Sequence, residues 1–298
     1  MNTDESSEST GDGVANGERT TGGFHRRQFL STAAVALGGA FATGTASAAS
    51  NDVHTEAFDG NDWTLSWRDE FDAGYIDTGI WNFETGNNNG WGNNELQYYR
   101  SNNAWTENGH LVIEAREEQY GGCDYTSARM TTQGKYNKQY GRVDVRAKLP
   151  YGQGIWPAIW MLGSDIGSVG WPDCGEIDIM ELIGSDPDTV HGTVHGPDSG
   201  GAGVGGSYSQ SNWFSDAYHT FTLTWYPDAI KFFVDGQQFF VTTLYDAQNA
   251  GREWVFDDGP FFFLLNVAVG GDWPGAPDAS TQFPQRMEVD YIRVYDWV

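Results

Sequence analysis

Apolar and polar residues alternate with a period of two along most of the chain from about residue 51 onward, which is the pattern of strands with one buried face. Turn residues such as Asp235-Gly236 separate the alternating segments. The predicted strands of this kind are residues 110–116, 141–150, 220–228, 229–236, 237–244 and 287–297. Residues 260–271 are instead apolar throughout, so we expect a strand buried on both faces.

These segments predict an all-β fold. No segment longer than ten residues has a convincing 3.6-residue period, and we find no internal repeat or interdomain linker. Many short strands at this spacing are accommodated by a two-sheet β-sandwich or jelly roll, in which one sheet can curve to offer an open concave cleft. We therefore expect residues 51–298 to form a single domain.

Residues 1–50 have the pattern of an export signal. Arg26-Arg27 precede Phe29-Leu30 as in a twin-arginine signal, an apolar stretch follows, and Ala46-Ser47-Ala48 supplies an A-x-A cleavage site. The alternative is a membrane anchor, but the apolar stretch falls short of the roughly 20 residues needed to span a bilayer. We expect cleavage after Ala48 and a secreted, extracellular protein that is free of the membrane once the signal is removed.

Charge narrows the range of partners. The formal net charge is −25 and the chain has only four lysines, so nucleic acid or anionic lipid would meet a repulsive field. A surplus of acidic residues of this size also suggests a halophilic protein that works in concentrated salt. The 13 tryptophans fit either an aromatic β core or rings that stack on sugars, and composition alone does not separate the two.

Cys123 and Cys174 are the only cysteines of the chain. In an exported protein they can form one disulfide, which we favour slightly over two free thiols. A zinc site would need more Cys or His ligands nearby, and the spacing offers none.

Candidate chemistry concentrates in residues 175–182, GEIDIMEL. In a regular strand Glu176 and Asp178 share one face, whereas Glu181 points to the other. A solvated strand face is the ordinary alternative, but such a face would mix charges, and no Lys or Arg occurs between Gly152 and Pro227. A β-bulge at Met180 or its neighbour would return Glu181 to the shared face, so the chemistry of paired carboxyls requires a bulge there.

GEIDIMEL resembles the E-x-D-x-x-E signature of glycoside hydrolase family 16, in particular its laminarinase-like endo-β-1,3-glucanases. Further blocks resemble that family in its order, from about residue 63 to the end. They are DEFD (69–72), WGNNELQYY (91–99), YTSARMTTQGKY (125–136), YGRVDVRAKLPYGQGIWPAIWMLG (140–163), GTVHGPDSGGAGVGGSY (192–208), LNVAVGGDWPG (265–275) and DYIRVY (290–295).

The resemblance implies a concanavalin A-like jelly roll and a retaining double displacement on β-1,3-glucans such as laminarin, with mixed β-1,3/1,4 chains as a further substrate. It implies Glu176 as nucleophile, Glu181 as general acid and base, and Asp178 as the residue that hydrogen-bonds Glu176 between them. The same fold acting on agarose, carrageenan or xyloglucan, and a non-catalytic lectin, remain the alternatives.

The resemblance also implies residues that contact the polysaccharide. Trp156 and Trp160, four residues apart, share a strand face as stacking platforms, with core filling as the alternative for each. Trp273 is expected in an exposed loop. The remaining matches are Asn94, Arg129 and His195, with Glu95 as a secondary candidate.

A structural calcium ion is a further implication. The matching positions are Glu70, the backbone of Gly109 and Asp290, which supply the oxygen ligands that calcium prefers. No cofactor is expected for catalysis, and the partner is the polysaccharide substrate, bound by a monomer.

Overall fold

The strands of the protein are arranged in two sheets. A computed structural model describes residues 55–197 and 203–298, and the predicted export signal lies outside them. The strands are β1 (Thr55–Phe58), β2 (Asn61–Asp69), β3 (Asn82–Glu84), β4 (Gln97–Tyr99), β5 (Ala104–Glu107), β6 (His110–Tyr120), β7 (Cys123–Ser127), β8 (Arg129–Thr131), β9 (Gly141–Lys148), β10 (Ile155–Gly163), β11 (Glu176–Leu182), β12 (Thr189–His195), β13 (Val204–Ser209), β14 (His219–Tyr226), β15 (Ala229–Val234), β16 (Gln237–Thr243), β17 (Phe261–Val269) and β18 (Gln285–Trp297).

Helical structure is sparse in the described residues. It consists of α1 (Ile166–Val169), α2 (Leu244–Asn249) and two single 3₁₀ turns, Asn88–Gly90 and Ser101–Asn103. None of these helices has the length and apolar character needed to cross a membrane.

The front sheet has seven strands in the order β13-β12-β11-β10-β17-β8-β3. The back sheet has eleven, in the order β16-β15-β14-β9-β18-β6-β7-β4, with β2 also beside β18, β1 beside β2 and β5 beside β6. Neighbouring strands are antiparallel except β4 and β7. The predicted all-β, two-sheet sandwich is confirmed.

The apolar core lies between the two sheets and draws on alternate residues of their strands. Val143 and Val145 of β9, together with Ile159 and Met161 of β10, are almost fully buried there. Each buried side chain of this size contributes about 1.5–3 kcal/mol of transfer free energy. The residues between them on each strand therefore face outward, where the front sheet carries the candidate chemistry.

The apolar run at residues 260–271 forms β17, and all residues of Phe261–Val269 are buried as predicted. β10 and β8 pair with its two edges, and side chains on both of its faces are covered by other residues. Phe263 and Leu265 join the main core, whereas Phe262 and Leu264 form a smaller apolar cluster on the other face.

β18 departs from the strict alternation that its sequence suggests. Met287 and Val289 are buried, and the next core positions are Ile292 and Val294, three residues on from Val289 rather than two. The pairing of β18 with β9 shifts register between Val289 and Tyr291, which is a bulge. One extra residue lets a 13-residue strand follow the twist of the sheet without turning its apolar side to solvent.

The predicted disulfide is wrong: Cys123 and Cys174 are both free thiols. Cys123 begins β7 of the back sheet, whereas Cys174 precedes β11 of the front sheet and packs in the cluster with Phe262 and Leu264. Burial raises the pKa of the Cys174 thiol to about 11. The sequence shows two cysteines but not the two separate sheets that hold them.

Candidate active site

β11 contains the bulge that the three carboxylates require. Its pairing with β10 runs from Ile159 opposite Met180 directly to Trp160 opposite Asp178, so Ile179 is passed over. Against β12, two residues of β11 lie between the partners Asp178 and Glu181, where one residue lies on the facing strand. The predicted bulge is confirmed.

The bulged register of β11 decides which of its side chains are buried. Glu176 and Glu181 are partly exposed on the outer face of the front sheet, while Ile177, Ile179 and Met180 are buried in the core. The two glutamates therefore share one face despite their five-residue offset. The backbone enters this strand through Gly175 at φ 75, where a Cβ atom would come within 2.8 Å of the Phe261 ring, so a side chain at this position would be strained and crowded.

Three side chains form a tight cluster around Asp178. His195 Nε2 lies 3.1 Å from Asp178 Oδ2 and 3.8 Å from Glu176 Oε1. Asp178 is only 3% exposed. Glu176, Asp178 and His195 each place one ligand-type atom within 4.8 Å of the others, a spacing that a cation can also occupy. The His195 imidazole lies beside the carboxyl groups of Glu176 and Asp178.

Two tryptophans donate hydrogen bonds to the two glutamates. Trp171 Nε1–H donates to Glu176 Oε2 at 2.9 Å, and Trp156 Nε1–H donates to Glu181 Oε1 at 3.0 Å. Each glutamate therefore has its own neutral donor, and the indole rings flank the carboxyl groups. A hydrogen bond to the ionised form favours the carboxylate.

Burial dominates the electrostatics of the cluster. It raises the pKa of Glu176 to about 8, with the Asp178 charge adding to the rise and His195, the Trp171 N–H and Arg129 opposing it. Burial also raises the pKa of Asp178. The pKa of Glu181 is raised well above its ordinary value by burial and by the charges of Asp178 and Glu176. The cluster thus holds protons at neutral pH, and its carboxyls titrate as a unit.

The outer face of the front sheet carries a polar row at the level of Glu181. Crossing the sheet from β12 to β3, the register partners in this row are His191, Glu181, Ala158, Asn266, Arg129 and Glu84. The row ends in an ion pair between Arg129 and Glu84.

Trp160 and Arg129 form the floor beside this row. Trp160 Nε1–H donates to Asn266 Oδ1 at 2.8 Å. The Arg129 guanidinium lies 4.8 Å from the ring centres of both Trp91 and Trp160, so it is held between two indole faces. Trp156 and Trp160 both lie on the groove side and not in the core between the sheets, which was the alternative for each.

Loop residues form a wall at the Glu181 end. Trp273 is 46% exposed, and its ring meets Trp156 at 5.6 Å and His191 at 5.1 Å, in each case edge to face. Asn94, on the neighbouring loop, donates its side-chain N–H to Asp272 at 2.9 Å. An open groove therefore runs over the carboxylates between the exposed rings of Trp171 and Trp273.

Comparison with known proteins agrees with this geometry. The sequence profile of the family described as glycosyl hydrolases family 16 matches residues 86–293. This chain belongs to glycosyl hydrolase family 16. A β-glucanase of Rhodothermus marinus is 46% identical over 249 residues, which cover 79% of this chain and 86% of that protein.

Solved structures of the family are similar over their full length. The laminarinase catalytic domain of Thermotoga maritima MSB8 is 56% identical, with a TM-score of 0.77 over 78% of this chain and 98% of that one. The endo-β-1,3-glucanase of Pyrococcus furiosus is 48% identical, with a TM-score of 0.79 over 82% of this chain and 98% of that one. The jelly roll and the glycoside hydrolase class are thereby established for this chain.

Glu95 of this family 16 hydrolase does not reach the groove. Its side chain is buried, 7% exposed, and accepts hydrogen bonds from Asn93, Gln97 and the Tyr99 hydroxyl at 2.7–3.1 Å. Asn266 in turn donates to the Tyr99 hydroxyl at 3.3 Å. Glu95 thus fixes the loop that carries Asn94 and connects it to the floor of the groove.

Arginines pair with the side chains of two of the predicted calcium ligands, Glu70 and Asp290. Both oxygens of Glu70 accept hydrogen bonds from Arg293, at 2.8 and 2.9 Å, and Asp290 forms an ion pair with Arg146. A calcium ion at Glu70, Gly109 and Asp290 would have to displace two guanidinium groups. This arrangement does not fit a cation site, and we assign it no role.

The sequence-predicted residues of the hydrolase fall into two groups. Those around the carboxylates in the groove are Glu176, Asp178, Glu181, Trp156, Trp160, His195 and Trp273. Asn94 and Arg129 lie at its edge and floor, but their polar groups are engaged by Asp272 and Glu84.

Sequence reasoning missed Trp171, Trp91, His191 and Asn266. Trp171 had a signal: it occupies a Gly-Trp-Pro loop much like that of Trp273 and lies five residues before Glu176. The other three become recognisable only through cross-strand register and ring contacts.

Proposed function

We propose that this family 16 hydrolase is a retaining endo-β-1,3-glucanase that cleaves laminarin-type β-glucans by double displacement. The observation that carries the proposal is the bulge in β11, which places Glu176, Asp178 and Glu181 on one face of an open groove. Two carboxyls on one face, each flanked by a tryptophan, supply both a nucleophile and a proton donor for a sugar chain.

In the first step the Glu176 carboxylate attacks the anomeric carbon. The bond from that carbon to the leaving oxygen breaks, and Glu181 gives its proton to the oxygen. Glu181 suits this role because burial and two neighbouring carboxylates hold its proton to high pH. Burial raises the pKa of Glu176 to about 8, but His195, the Trp171 N–H and Arg129 oppose that rise and favour the ionised form that attacks.

In the second step water replaces the enzyme at the anomeric carbon. The Glu181 carboxylate takes a proton from water, the water oxygen attacks the anomeric carbon, and the ester bond to Glu176 breaks. Asp178 and His195 remain in place beside Glu176 as it gains and loses its charge.

The groove favours endo-cleavage of a chain over removal of terminal units. Exposed indoles stand on both sides of the carboxylates, Trp171 beside Glu176 and Trp273 beyond Glu181. Sugar units can therefore stack on either side of the bond that breaks. A long chain lies across the sheet with both ends free.

A substrate panel tests the proposal. The protein is incubated with laminarin, lichenan, agarose and xylan in high salt, and products are identified by mass and by proton NMR during the first turnovers. We expect oligosaccharides from laminarin, with the β-anomer formed first. Products from agarose alone would overturn the substrate assignment, and a first-formed α-anomer would overturn the retaining mechanism.

Mixed β-1,3/1,4-glucans are a second candidate substrate because the groove is open and lined by stacking surfaces rather than closed around one linkage. Release from lichenan in the same panel reports on it. A lectin function is the less favoured alternative, because a binding protein has no use for three crowded carboxyls in which Asp178 raises the pKa of Glu176 and both raise that of Glu181.

We also propose that the hydrolase acts outside the cell. Residues 1–50 carry the twin-arginine and A-x-A patterns, and β-glucans of this size do not cross membranes. Replacing Arg26 and Arg27 by Lys should retain the protein in cells, whereas the unchanged protein should appear in the medium beginning at Ala49. Secretion of the Lys variant at the unchanged level would contradict the proposal.

A further inference from the structure

Tyr151 and Trp213 form an exposed aromatic pair outside the groove. Their ring centres lie 5.4 Å apart with planes inclined by 43°, and the two residues are 39% and 46% exposed. Within residues 55–197 and 203–298, neither the Tyr151 hydroxyl nor the indole Nε1–H of Trp213 has a hydrogen-bond partner, whereas the backbone N–H of Trp213 donates to Asp216. The pair thus combines apolar faces with two free polar groups at the surface.

The backbone on both sides of the pair is firmly held. Tyr151 N–H donates to Gln285 Oε1 at 3.1 Å, and the next residue, Gly152, donates to the Gly184 carbonyl at 2.7 Å. Phe214, next to Trp213, is fully buried and donates its N–H to the Pro187 carbonyl at 2.9 Å. The rings are therefore presented on fixed loops, which lowers the entropic cost of binding a ligand.

A single turn connects the pair to the groove. Residues 183–188 follow β11 directly after Glu181 and Leu182 and lead into β12. Gly184 and Pro187 of this turn accept the hydrogen bonds just described. Asp186 of the same turn lies close enough to His191 to raise its pKa against the larger effect of burial, and the His191 ring contacts Trp273. The same turn thus contacts both the loops that carry the pair and, through Asp186, the wall of the groove.

We propose that Tyr151 and Trp213 form a second carbohydrate-binding site, which holds the part of a β-1,3-glucan chain that extends beyond the groove. The proposal rests on the glucanase function proposed above. The C–H faces of a pyranose stack on aromatic rings, and its hydroxyls can bond the free indole Nε1–H of Trp213 and the Tyr151 hydroxyl. A β-1,3-linked chain curves, so two rings inclined to each other suit it better than coplanar rings would.

The charge of the protein favours this occupant over a second copy of the chain. A neutral polysaccharide meets no repulsion from a net charge of −25, whereas two copies of this protein would repel each other. The carboxylate of Asp216, which accepts a hydrogen bond from the Trp213 backbone, is also of the kind that hydrogen-bonds sugar hydroxyls. Self-association remains an outcome that the experiment detects.

The test compares Trp213→Ala and the double variant Tyr151→Ala/Trp213→Ala with Trp297→Ala. Trp297 is a matched control because it is also exposed, at 61%, and also touches a tyrosine ring, Tyr226 at 5.6 Å, but it lies on β18 of the back sheet. Binding to insoluble β-1,3-glucan (curdlan) is measured by sedimentation in a Glu176→Gln background. Hydrolysis of laminaritetraose and laminarin is measured in the active background.

We expect Trp213→Ala to weaken curdlan binding by about fivefold and the double variant by more, with Trp297→Ala unchanged. Hydrolysis of laminaritetraose, which occupies the groove alone, should stay within about twofold, while KM for laminarin rises. Curdlan binding equal to that of Trp297→Ala would overturn the site. So would a concentration-dependent change of mass in light scattering that the Ala variants abolish, because the pair would then join copies of the chain.

Failure of the proposed function gives a different result. If the unsubstituted protein does not cleave laminaritetraose, the glucanase assignment is wrong whatever the sedimentation shows. If it does cleave the tetraose and the variants bind curdlan normally, only the second site is wrong. Melting temperatures of all variants at the unsubstituted value confirm that folding is not the cause.

Discussion

The outer faces of the two sheets treat buried carboxylates in opposite ways. On the back sheet Asp144, 3% exposed, accepts a hydrogen bond from Arg142 at 2.9 Å and another from the Thr222 hydroxyl at 2.7 Å. On the front sheet Asp178, equally buried, faces a histidine and two glutamates. The back sheet pairs these carboxylates with arginines, whereas the cluster of Glu176, Asp178 and Glu181 on the front sheet places carboxyl groups against each other.

The distribution of basic residues creates this difference. No Lys or Arg occurs from Gly152 to Pro227, the segment that supplies β10 to β13 of the front sheet. Glu70 and Asp290 on the back sheet, in contrast, are each paired with an arginine. Burial raises the pKa of Asp144 as well, but Arg142 opposes that rise, whereas the neighbouring carboxylates of the front sheet add to it. A raised pKa is what a general acid requires.

The largest expected effect comes from the carboxyl groups of the front sheet. Glu176→Gln and Glu181→Gln should each lower kcat on laminarin by about 10³-fold or more, because one removes the nucleophile and the other the proton donor. Glu70→Gln on the back sheet is the matched control and should stay within about twofold.

An aryl β-laminaribioside, in which the leaving group is an acidic phenol, separates the role of nucleophile from that of proton donor. Its leaving group needs no proton, so Glu181→Gln should cleave it far better, relative to laminarin, than Glu176→Gln does. Equal loss on both substrates in both variants would contradict the assignment of Glu181 as the acid.

The next effect concerns stability and belongs to the back sheet. Asp144→Asn leaves the Arg142 guanidinium, which is 6% exposed, without its main counter-charge, so we expect a loss of about 3–5 kcal/mol in the free energy of unfolding. Urea denaturation measures it. The double variant Arg142→Met/Asp144→Leu should recover most of the loss, and kcat should be unchanged throughout. A single variant as stable as the parent would show that the pair is not needed.

A third effect is the pH dependence of stability, which should have opposite signs for Glu176 and for Asp235. The pKa of Glu176 is raised to about 8 by burial, so the folded state keeps a proton that the unfolded state has lost. Its contribution to stability is therefore fully present below about pH 4.5 and is lost as the pH rises to 8. Glu176→Gln carries no such dependence and should gain on the parent by on the order of 3 kcal/mol between pH 5 and 8.

Asp235 supplies the control of opposite sign. Burial acts to raise the pKa of Asp235, but hydrogen bonds from His219 and from Thr220 N–H hold it below its ordinary value. Its contribution is present at neutral pH and is lost as the pH falls through the folded-state pKa. Asp235→Asn should thus be less stable than the parent at pH 7 and equal to it in acid. Parallel pH profiles for both variants and the parent would contradict the contrast.

The sequence alone predicts most of the fold because alternation reports burial directly. β14, β15 and β16 lie within about two residues of the predicted segments, and the apolar run that became β17 is buried on both faces. The bulge in β11 was also predictable, since three carboxylates at these spacings share a face in no regular strand. The spacing of the carboxylates and the requirement of the chemistry for two carboxyls on one face both predict the bulge.

Partners distant in sequence are what the sequence does not predict. Asn94 hydrogen-bonds Asp272, which is 178 positions away, and Arg129 lies between two indoles from other elements. The arginines that pair with the side chains of Glu70 and Asp290 could not be predicted for the same reason, because oxygen ligands can be read from a sequence but their cross-strand partners cannot. The partner that each polar side chain takes depends on which strands, distant in sequence, become neighbours in the fold.

The smallest effect, and the finest test of the contrast, is at Trp171. This residue does for Glu176 with a neutral N–H what arginines do for carboxylates on the back sheet, and it is 48% exposed, so its loss should not affect folding. Trp171→Phe keeps a ring but removes the donor, which raises the pKa of Glu176 further and leaves less nucleophile ionised at pH 7. We expect kcat/KM to fall about tenfold and the acid limb of its pH profile to move to higher pH. A fall without a shift would mean that the indole acts only as a stacking surface, because stacking is insensitive to the charge of Glu176.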